Sequence, residues 1–100
     1  MFNEHHVIII GAGIGGLSAA AAVSPHVKKV SIVDKDSLPE TAACRKAVPQ
    51  GAHISILLKA GLDNLEALIP GMTEQLISSG AAQIRAGIDQ RIHEFGEWTP

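Results

Sequence analysis

Cysteine and aromatic residues are scarce in this chain. Cys44 is the only cysteine, and aromatic residues make up 3% of the 100 positions. A single cysteine cannot form an internal disulfide, so a secreted disulfide framework is excluded and a reducing, cytoplasmic setting is expected. Cys44 also has no cysteine partner for redox chemistry, which favours an ordinary loop thiol.

An excess of basic residues is also absent. Eight Lys and Arg stand against ten Asp and Glu, which gives a formal net charge of -2, and the basic residues are scattered. Nucleic-acid-binding proteins neutralise phosphates with a basic stripe or patch, so nucleic acid is not an expected partner. His5 and His6 are expected to be exposed tail residues rather than metal ligands, and no metal site is predicted.

Long hydrophobic runs are missing as well. The apolar run from Val7 to Ile10 is interrupted at once by glycine and has no basic leader, so it predicts neither a membrane span nor a signal peptide. A short β-branched run without polar alternation is typical of a strand covered on both faces of a parallel sheet. We therefore expect Val7 to Ile10 to form a buried, central strand.

The first third of the chain has the order strand, helix, strand. The segment from Gly11 to Val23 runs from glycines into alanines that favour helix, and Ser24-Pro25 stops it. Val30 to Val33 is a second β-branched run. Because these segments fill about 30 residues, the length of a βαβ crossover, we predict an α/β fold with a Rossmann-like βαβ unit of parallel strands over residues 6–34, followed by helices.

A glycine motif lies between the first strand and the helix. Gly11, Gly13 and Gly16 form G-x-G-x-x-G in this position. Gly11 permits the tight turn, Gly13 lets the backbone approach a pyrophosphate, and Gly16 lets the helix pack close to the strand. The helix N-terminus then attracts the diphosphate without a basic side chain. The dinucleotide contacts predicted for this loop are Gly11, Ala12, Gly13, Ile14, Gly15 and Gly16.

An acidic residue follows the second strand. Asp34 is placed to accept hydrogen bonds from the adenosine ribose hydroxyls, and its charge would repel the additional phosphate of NADP. The pattern favours FAD or NAD and does not choose between them. Lys35, the next residue, is included among the predicted cofactor contacts.

The rest of the chain has weaker signals. Residues 35–52 are polar and contain Pro39 and Pro49, which predicts an ordered loop, and the length of that loop suggests a ligand. Residues 53–80 form a helical segment, with a helix of about 15 residues from Ile54 that ends before Pro70-Gly71. Met72 to Ser79 predicts a second helix, closed by a left-handed Gly80. Residues 81–100 offer only a weak strand near residues 91–95.

Two stretches resemble known flavoproteins. The segment from Gly11 to Ala20 resembles the FAD-binding signature of the glutathione-reductase-like superfamily. The segment from Arg45 to His53 is similar to one in flavin-dependent monooxygenases related to polyether epoxidases and aromatic hydroxylases. Ala47 and Ala52 depart from the glycine and arginine usual there. The similarity continues in the following helix and in Phe95-Gly96-Glu97-Trp98.

The resemblance implies roles for three residues of the second stretch. Arg45 would lie against the flavin cofactor, and Gln50 would reach the ribityl chain or the ring. For both, the alternative is an ordinary loop side chain that meets solvent or nearby backbone. His53 would either cap the following helix or act in catalysis, and no relay partner for it is identifiable. No catalytic residue is predicted.

The resemblance also implies an activity. The chain would be the N-terminal part of an FAD-binding domain, in a monooxygenase that hydroxylates or epoxidises a small organic molecule with oxygen and NADPH or NADH. Two parallel strands leave a sheet incomplete, so the unit would work with a missing remainder or a partner chain. Two alternatives remain open: a truncated, non-catalytic nucleotide-binding fragment, and an NAD-dependent dehydrogenase, which only the glycine motif supports.

Overall fold

The computed structural model describes residues 3–98, which divide into two compact units at Pro70 and Gly71. Each unit is described by itself. The elements of the first unit are β1 (His6–Ile10), α1 (Ile14–Val23), a 3-10 turn (Ser24–His26), β2 (Lys29–Val33), a second 3-10 turn (Pro49–Ala52) and α2 (Lys59–Leu68). The elements of the second unit are α3 (Met72–Ser78), β3 (His93–Glu94) and β4 (Glu97–Trp98).

The first unit contains the predicted βαβ arrangement. β1 and β2 pair in parallel, with Val7 opposite Val30 and Ile9 opposite Ile32. α1 connects them and packs on both strands. A Cβ added to Gly16 would overlap the carbonyl oxygen of Gly11 and lie 3.4 Å from Cγ2 of Ile9, so glycine is needed where the helix meets the strand. The expectation of a Rossmann-like fold with parallel strands followed by helices is confirmed.

The expectation that β1 is buried on both faces is wrong for this chain. Exposure alternates along the strand: Val7 and Ile9 are half-buried, whereas 60% of Ile8 and 88% of Ile10 are exposed. Because α1 covers only the face that carries Ile9, the opposite face of the two-stranded sheet stays open. β1 is therefore not a central strand within residues 3–98, where its sheet consists of β1 and β2.

The helix predicted from Ile54 begins five residues later, at Lys59. Leu58, which precedes it, has an extended backbone with φ −74° and ψ 160°. The segment His53-Ile54-Ser55-Ile56 alternates polar and β-branched residues, a pattern of period two that favours extended backbone over helix. His53 follows the second 3-10 turn and lies six residues before α2. The alternative that His53 caps the helix is therefore wrong.

The second unit confirms the predicted end of its helix. Gly80 has a φ of +108°. Its N–H donates to the carbonyl of Ile77 at 3.0 Å, and the N–H of Ala81 donates to the carbonyl of Leu76 at 3.0 Å. This pair of bonds is a Schellman motif, which satisfies carbonyls that the helix end leaves without partners.

A short antiparallel hairpin closes the second unit. β3 and β4 pair so that His93 lies opposite Trp98. The turn between them consists of Phe95 and Gly96, with φ values of 55° and 85°. Positive φ at both turn residues fits a two-residue hairpin. The strand predicted near residues 91–95 is thus reduced to His93–Glu94, because Phe95 belongs to the turn.

Candidate functional site

The glycine loop leaves β1 through Gly11. The N–H of Gly11 donates to the carbonyl of Val33 at 2.7 Å, which extends the pairing of the two strands by one residue. Its φ of +103° lies in the region that favours glycine, so the turn depends on this residue type. The chain then enters α1 with Gly13 as the residue that precedes the helix.

The first turn of α1 faces open space. Gly13 has an extended backbone, no side chain caps this helix end, and the first turn contains no acidic residue. A Cβ added to Gly13 would have no neighbouring atom within 4 Å. The first N–H groups of a helix lack intrahelical partners and carry the positive end of its dipole. This surface therefore has the charge and the room that an anionic group requires.

Asp34 lies where β2 ends and is tied to the glycine loop. Its Oδ2 accepts a hydrogen bond from the N–H of Ala12 at 2.7 Å, and its Oδ1 accepts one from the N–H of Asp36 at 2.8 Å. These two backbone donors, the Ala12 N–H first, lower the pKa of Asp34, and the positive charge of Arg45 acts in the same direction. Asp34 is therefore a carboxylate near neutral pH and can only accept hydrogen bonds.

Arg45 contacts both acidic residues and the glycine loop. Its Nη1 donates to the carbonyl of Ala12 at 2.7 Å. Its Nη2 lies 3.2 Å from Oδ2 of Asp34, and its Nε lies 3.8 Å from Oδ2 of Asp36. The arginine side chain is 16% exposed. The structure thus places Arg45 against Asp34 and the Ala12 carbonyl, and its contact with a flavin stays a prediction.

Asp36 is a structural member of the site that sequence reasoning left without a role. Its Oδ2 accepts a hydrogen bond from the N–H of Ala47 at 2.8 Å, which joins the two ends of the intervening loop. The available signal was the Asp34-Lys35-Asp36 triplet. Aspartate side chains often accept the backbone N–H two residues later in a turn, and this turn brings both carboxylates to one cation.

An open cleft of about 630 Å³ lies between the glycine loop, the end of β2 and the loop that follows. The predicted site residues on its wall are Gly11, Gly13, Ile14, Asp34, Lys35 and Gln50. Four other predicted residues do not line it: Ala12 is fully buried, Gly15 and Gly16 belong to α1, and Arg45 lies beside Asp34. Six lining residues were not among the predicted contacts: Ile10, Val33, Ala47, Val48, Gly51 and Ser55.

The histidine and cysteine positions do not form a second centre. His6 is part of β1 rather than a tail, and its Nε2 lies 2.8 Å from Oγ of Ser31 on the open face of the sheet. Cys44 is exposed and free. Within residues 3–98, no group of three or more His, Cys, Asp or Glu side chains is arranged to hold a metal ion. Over the same residues, every helix is too short or too polar to cross a bilayer.

Comparison with known proteins agrees with the geometry of the cleft. Residues 9–59 match the family of NAD(P)-binding Rossmann-like domains. The chain is 34% identical over 81 residues to Protein Rv3254 of Mycobacterium tuberculosis, a match that covers 81% of this chain and 17% of that protein. It is also 34% identical over 82 residues to the all-trans-zeta-carotene desaturase of Myxococcus xanthus, which covers 82% of this chain and 15% of the desaturase. The chain thus spans about a sixth of the length of the curated relatives it matches.

Proposed function

The chain belongs to the NAD(P)-binding Rossmann-like domain family, and from that premise we propose that its cleft binds the ADP half of FAD. The N–H groups at the start of α1 hold the diphosphate, and the Asp34 carboxylate accepts hydrogen bonds from the ribose hydroxyls. The observation that carries this proposal is the position of Asp34. An ionised carboxylate lines the same cleft as the open first turn of α1.

The residues of the cleft fit such a ligand. Gly13 leaves room for a phosphate at the helix end, and a negative diphosphate meets no acidic side chain in the first turn. Lys35 and Gln50 line the same cleft and supply an ammonium group and an amide to the nucleotide. The exposed position of Lys35 suits a weak, solvent-screened contact with a phosphate.

FAD is preferred over NAD because of the segment from Arg45 to His53. This segment resembles flavin-dependent monooxygenases, and part of it, Val48, Gln50 and Gly51, forms one wall of the cleft. A bound flavin supplies the redox chemistry, and this chain supplies binding and orientation. The full proposal is an N-terminal FAD-binding segment of a cytoplasmic monooxygenase that hydroxylates or epoxidises a small organic molecule, with oxygen and NADPH or NADH.

A desaturase is the second candidate. The observation in its favour is the 34% identity to the carotene desaturase of Myxococcus xanthus over 82 residues. In this candidate the same cleft holds the same half of the cofactor, and the substrate loses hydrogen instead of gaining oxygen. Incorporation of labelled oxygen into the product therefore separates the two activities.

The binding test adds FAD to the purified chain and records flavin absorbance in the protein fraction after gel filtration. Retained flavin supports the proposal, and displacement of FAD by NAD in a competition titration favours a dehydrogenase. Oxygen-dependent consumption of NADPH or NADH is then measured on the flavin-loaded protein. Flavin binding without turnover favours a non-catalytic nucleotide-binding module that acts with further protein.

A further inference from the structure

We propose that Arg45 is a positioning residue that acts on the nucleotide through Asp34: it fixes the Asp34 carboxylate and ties the loop of residues 36–47 to the glycine loop. This inference rests on the proposed nucleotide site and goes beyond it, because it assigns Arg45 a role other than direct contact with the cofactor. It also assigns Asp36 a function as the second anchor of the same loop.

One guanidinium joins three separate parts of the first unit. Nη1 donates to the Ala12 carbonyl in the glycine loop, Nη2 lies 3.2 Å from Asp34 at the end of β2, and Nε lies 3.8 Å from Asp36 in the following loop. All three side chains are mostly buried: 16% of Arg45, 12% of Asp34 and 13% of Asp36 is exposed. Partly buried ion pairs are less screened by solvent than those on the surface, so these contacts restrain their partners.

The contacts of Asp34 explain why its orientation matters. Ala12 and Asp36 each donate one backbone N–H to a different carboxylate oxygen, and Arg45 approaches the oxygen that Ala12 already binds. A carboxylate oxygen has two lone pairs, so Oδ1, which among the described residues binds only the Asp36 N–H, keeps capacity for a ribose hydroxyl. Within residues 3–98, loss of Arg45 removes the cation that neighbours Asp34 and leaves only the two backbone N–H groups to hold the carboxylate.

The same arginine holds the wall of the cleft. The N–H of Val48 donates to the carbonyl of Arg45 at 3.0 Å, and the N–H of Gly51 donates to the carbonyl of Val48 at 3.0 Å. This series of turns leads from the arginine to Gln50 and Gly51, which line the cleft. Asp36 completes the connection by accepting the N–H of Ala47. Arg45 therefore fixes the distance between this wall and the glycine loop.

Charge argues against direct binding of a ribose phosphate by Arg45. One arginine lies between two carboxylates, so the cluster of Arg45, Asp34 and Asp36 keeps a net negative charge. Within residues 3–98, Lys35 is the cationic residue that lines the cleft, and it is exposed to solvent. A phosphate at the ribose 2′ position would meet this negative cluster, whereas hydroxyls would meet acceptors.

The planar shape of arginine is needed for these contacts. Nε and Nη2 are buried, and within the described residues they have no aligned hydrogen-bond acceptor, so their contacts with the two carboxylates are ionic. A lysine would supply one point charge and could not span Ala12, Asp34 and Asp36 together. Arg45→Lys is therefore expected to restore part of the effect of Arg45, and Arg45→Gln none of it.

The binding test uses ADP in calorimetry on the full chain, together with AMP and 2′,5′-ADP, which differ from each other only by the 2′ phosphate. Arg45→Gln should weaken ADP binding about tenfold relative to wild type, which corresponds to about 1.4 kcal/mol. The ADP affinity of Arg45→Lys should lie between those of wild type and Arg45→Gln. The preference for AMP over 2′,5′-ADP should be kept or increase, because the two carboxylates that remain repel a 2′ phosphate more strongly. Arg85→Gln is the matched control, because Arg85 pairs with Asp89 in the other unit, and it should bind like wild type. Unchanged ADP affinity in Arg45→Gln, or a loss confined to 2′,5′-ADP, overturns the proposal.

A second measurement needs no ligand. The carboxyl carbon of Asp34 is titrated by NMR, and hydrogen exchange of the Ala47 N–H is followed, in wild type, Arg45→Lys and Arg45→Gln. Arg45 and the Asp36 N–H contact Asp34, and Lys35 lines the same cleft. Removal of the Arg45 charge should therefore raise the pKa of Asp34 and speed exchange at Ala47. If neither changes in a folded variant, the role of Arg45 is refuted. If wild type binds no adenine nucleotide, the proposed function fails while this measurement still decides the role of Arg45.

Discussion

The carboxylate of Asp34 accepts a hydrogen bond from the backbone N–H of Ala12 at 2.7 Å, although 22 positions separate the two residues. This bond joins the end of β2 to the glycine loop after β1. It brings the group proposed to bind ribose next to the helix end proposed to bind the diphosphate. The two halves of the proposed site are therefore positioned by one short contact.

Removing the charge of Asp34 should weaken nucleotide binding. In Asp34→Asn the side chain keeps its shape, loses its negative charge and presents an NH₂ group toward one of the two backbone donors. Hydrogen bonds to charged groups contribute about 1.5–3 kcal/mol, so we expect roughly 10- to 150-fold weaker FAD or ADP binding by calorimetry. Asp89→Asn, in the other unit, is the control. Equal affinity of Asp34→Asn and wild type would contradict the assignment of Asp34.

Gly16→Ala should destabilise the fold. The added Cβ would overlap the Gly11 carbonyl oxygen, a backbone atom that cannot turn aside, so strand and helix must separate. Overpacking of this kind costs about 1–3 kcal/mol, which should be visible in the free energy of unfolding measured with urea. Stability equal to that of wild type would show that the close approach of α1 and β1 is not required.

Gly13→Ala, in contrast to Gly16→Ala, should affect nucleotide binding rather than the stability of the fold. The added Cβ meets no atom within 4 Å, and the backbone φ of −76° suits any residue, so stability should fall by less than about 1 kcal/mol. The Cβ would nevertheless occupy the space assigned to the diphosphate. We expect FAD and ADP binding to be lost while the urea unfolding curve is nearly unchanged. Normal nucleotide binding in this variant would place the diphosphate elsewhere.

Acid should remove the stabilising contribution of Asp34. Hydrogen bonds from Ala12 and Asp36, together with Arg45, hold its folded pKa below the ordinary 3.8. A lowered folded pKa means that the contribution is present above the unfolded pKa and is lost as pH falls through the folded pKa. Unfolding free energies measured between pH 7 and pH 3 should therefore fall more for wild type than for Asp34→Asn. Parallel curves for the two proteins would contradict this cause.

The sequence predicts the βαβ unit well because its signals are local. Val7 to Ile10 and Val30 to Val33 lie within one residue of the observed strand boundaries, and Gly80 closes α3 with the expected positive φ. The start of α2 was misplaced because Ile54 and Leu58 fit a helical period as well as an extended segment. Periodicity alone does not separate the two for a short apolar run.

The contacts of the site were harder to predict because they depend on distant parts of the chain. The glycine motif and Asp34 are recognisable from their order along the sequence, yet nothing local indicates that Arg45 reaches back 33 positions to the Ala12 carbonyl. The open face of the sheet was also missed. A β-branched run indicates that a strand is suited to burial on both faces. Within residues 3–98, however, a helix covers only one face of this strand.

Isothermal calorimetry of the folded chain with FAD, ADP and NAD tests the central claim most directly, with Gly13→Ala as the control. The account predicts saturable heat with FAD and ADP at one site per chain, weaker binding of NAD than of FAD, and no heat with Gly13→Ala. Absence of heat with all three nucleotides, from a wild-type chain whose circular dichroism confirms that it is folded, would contradict it.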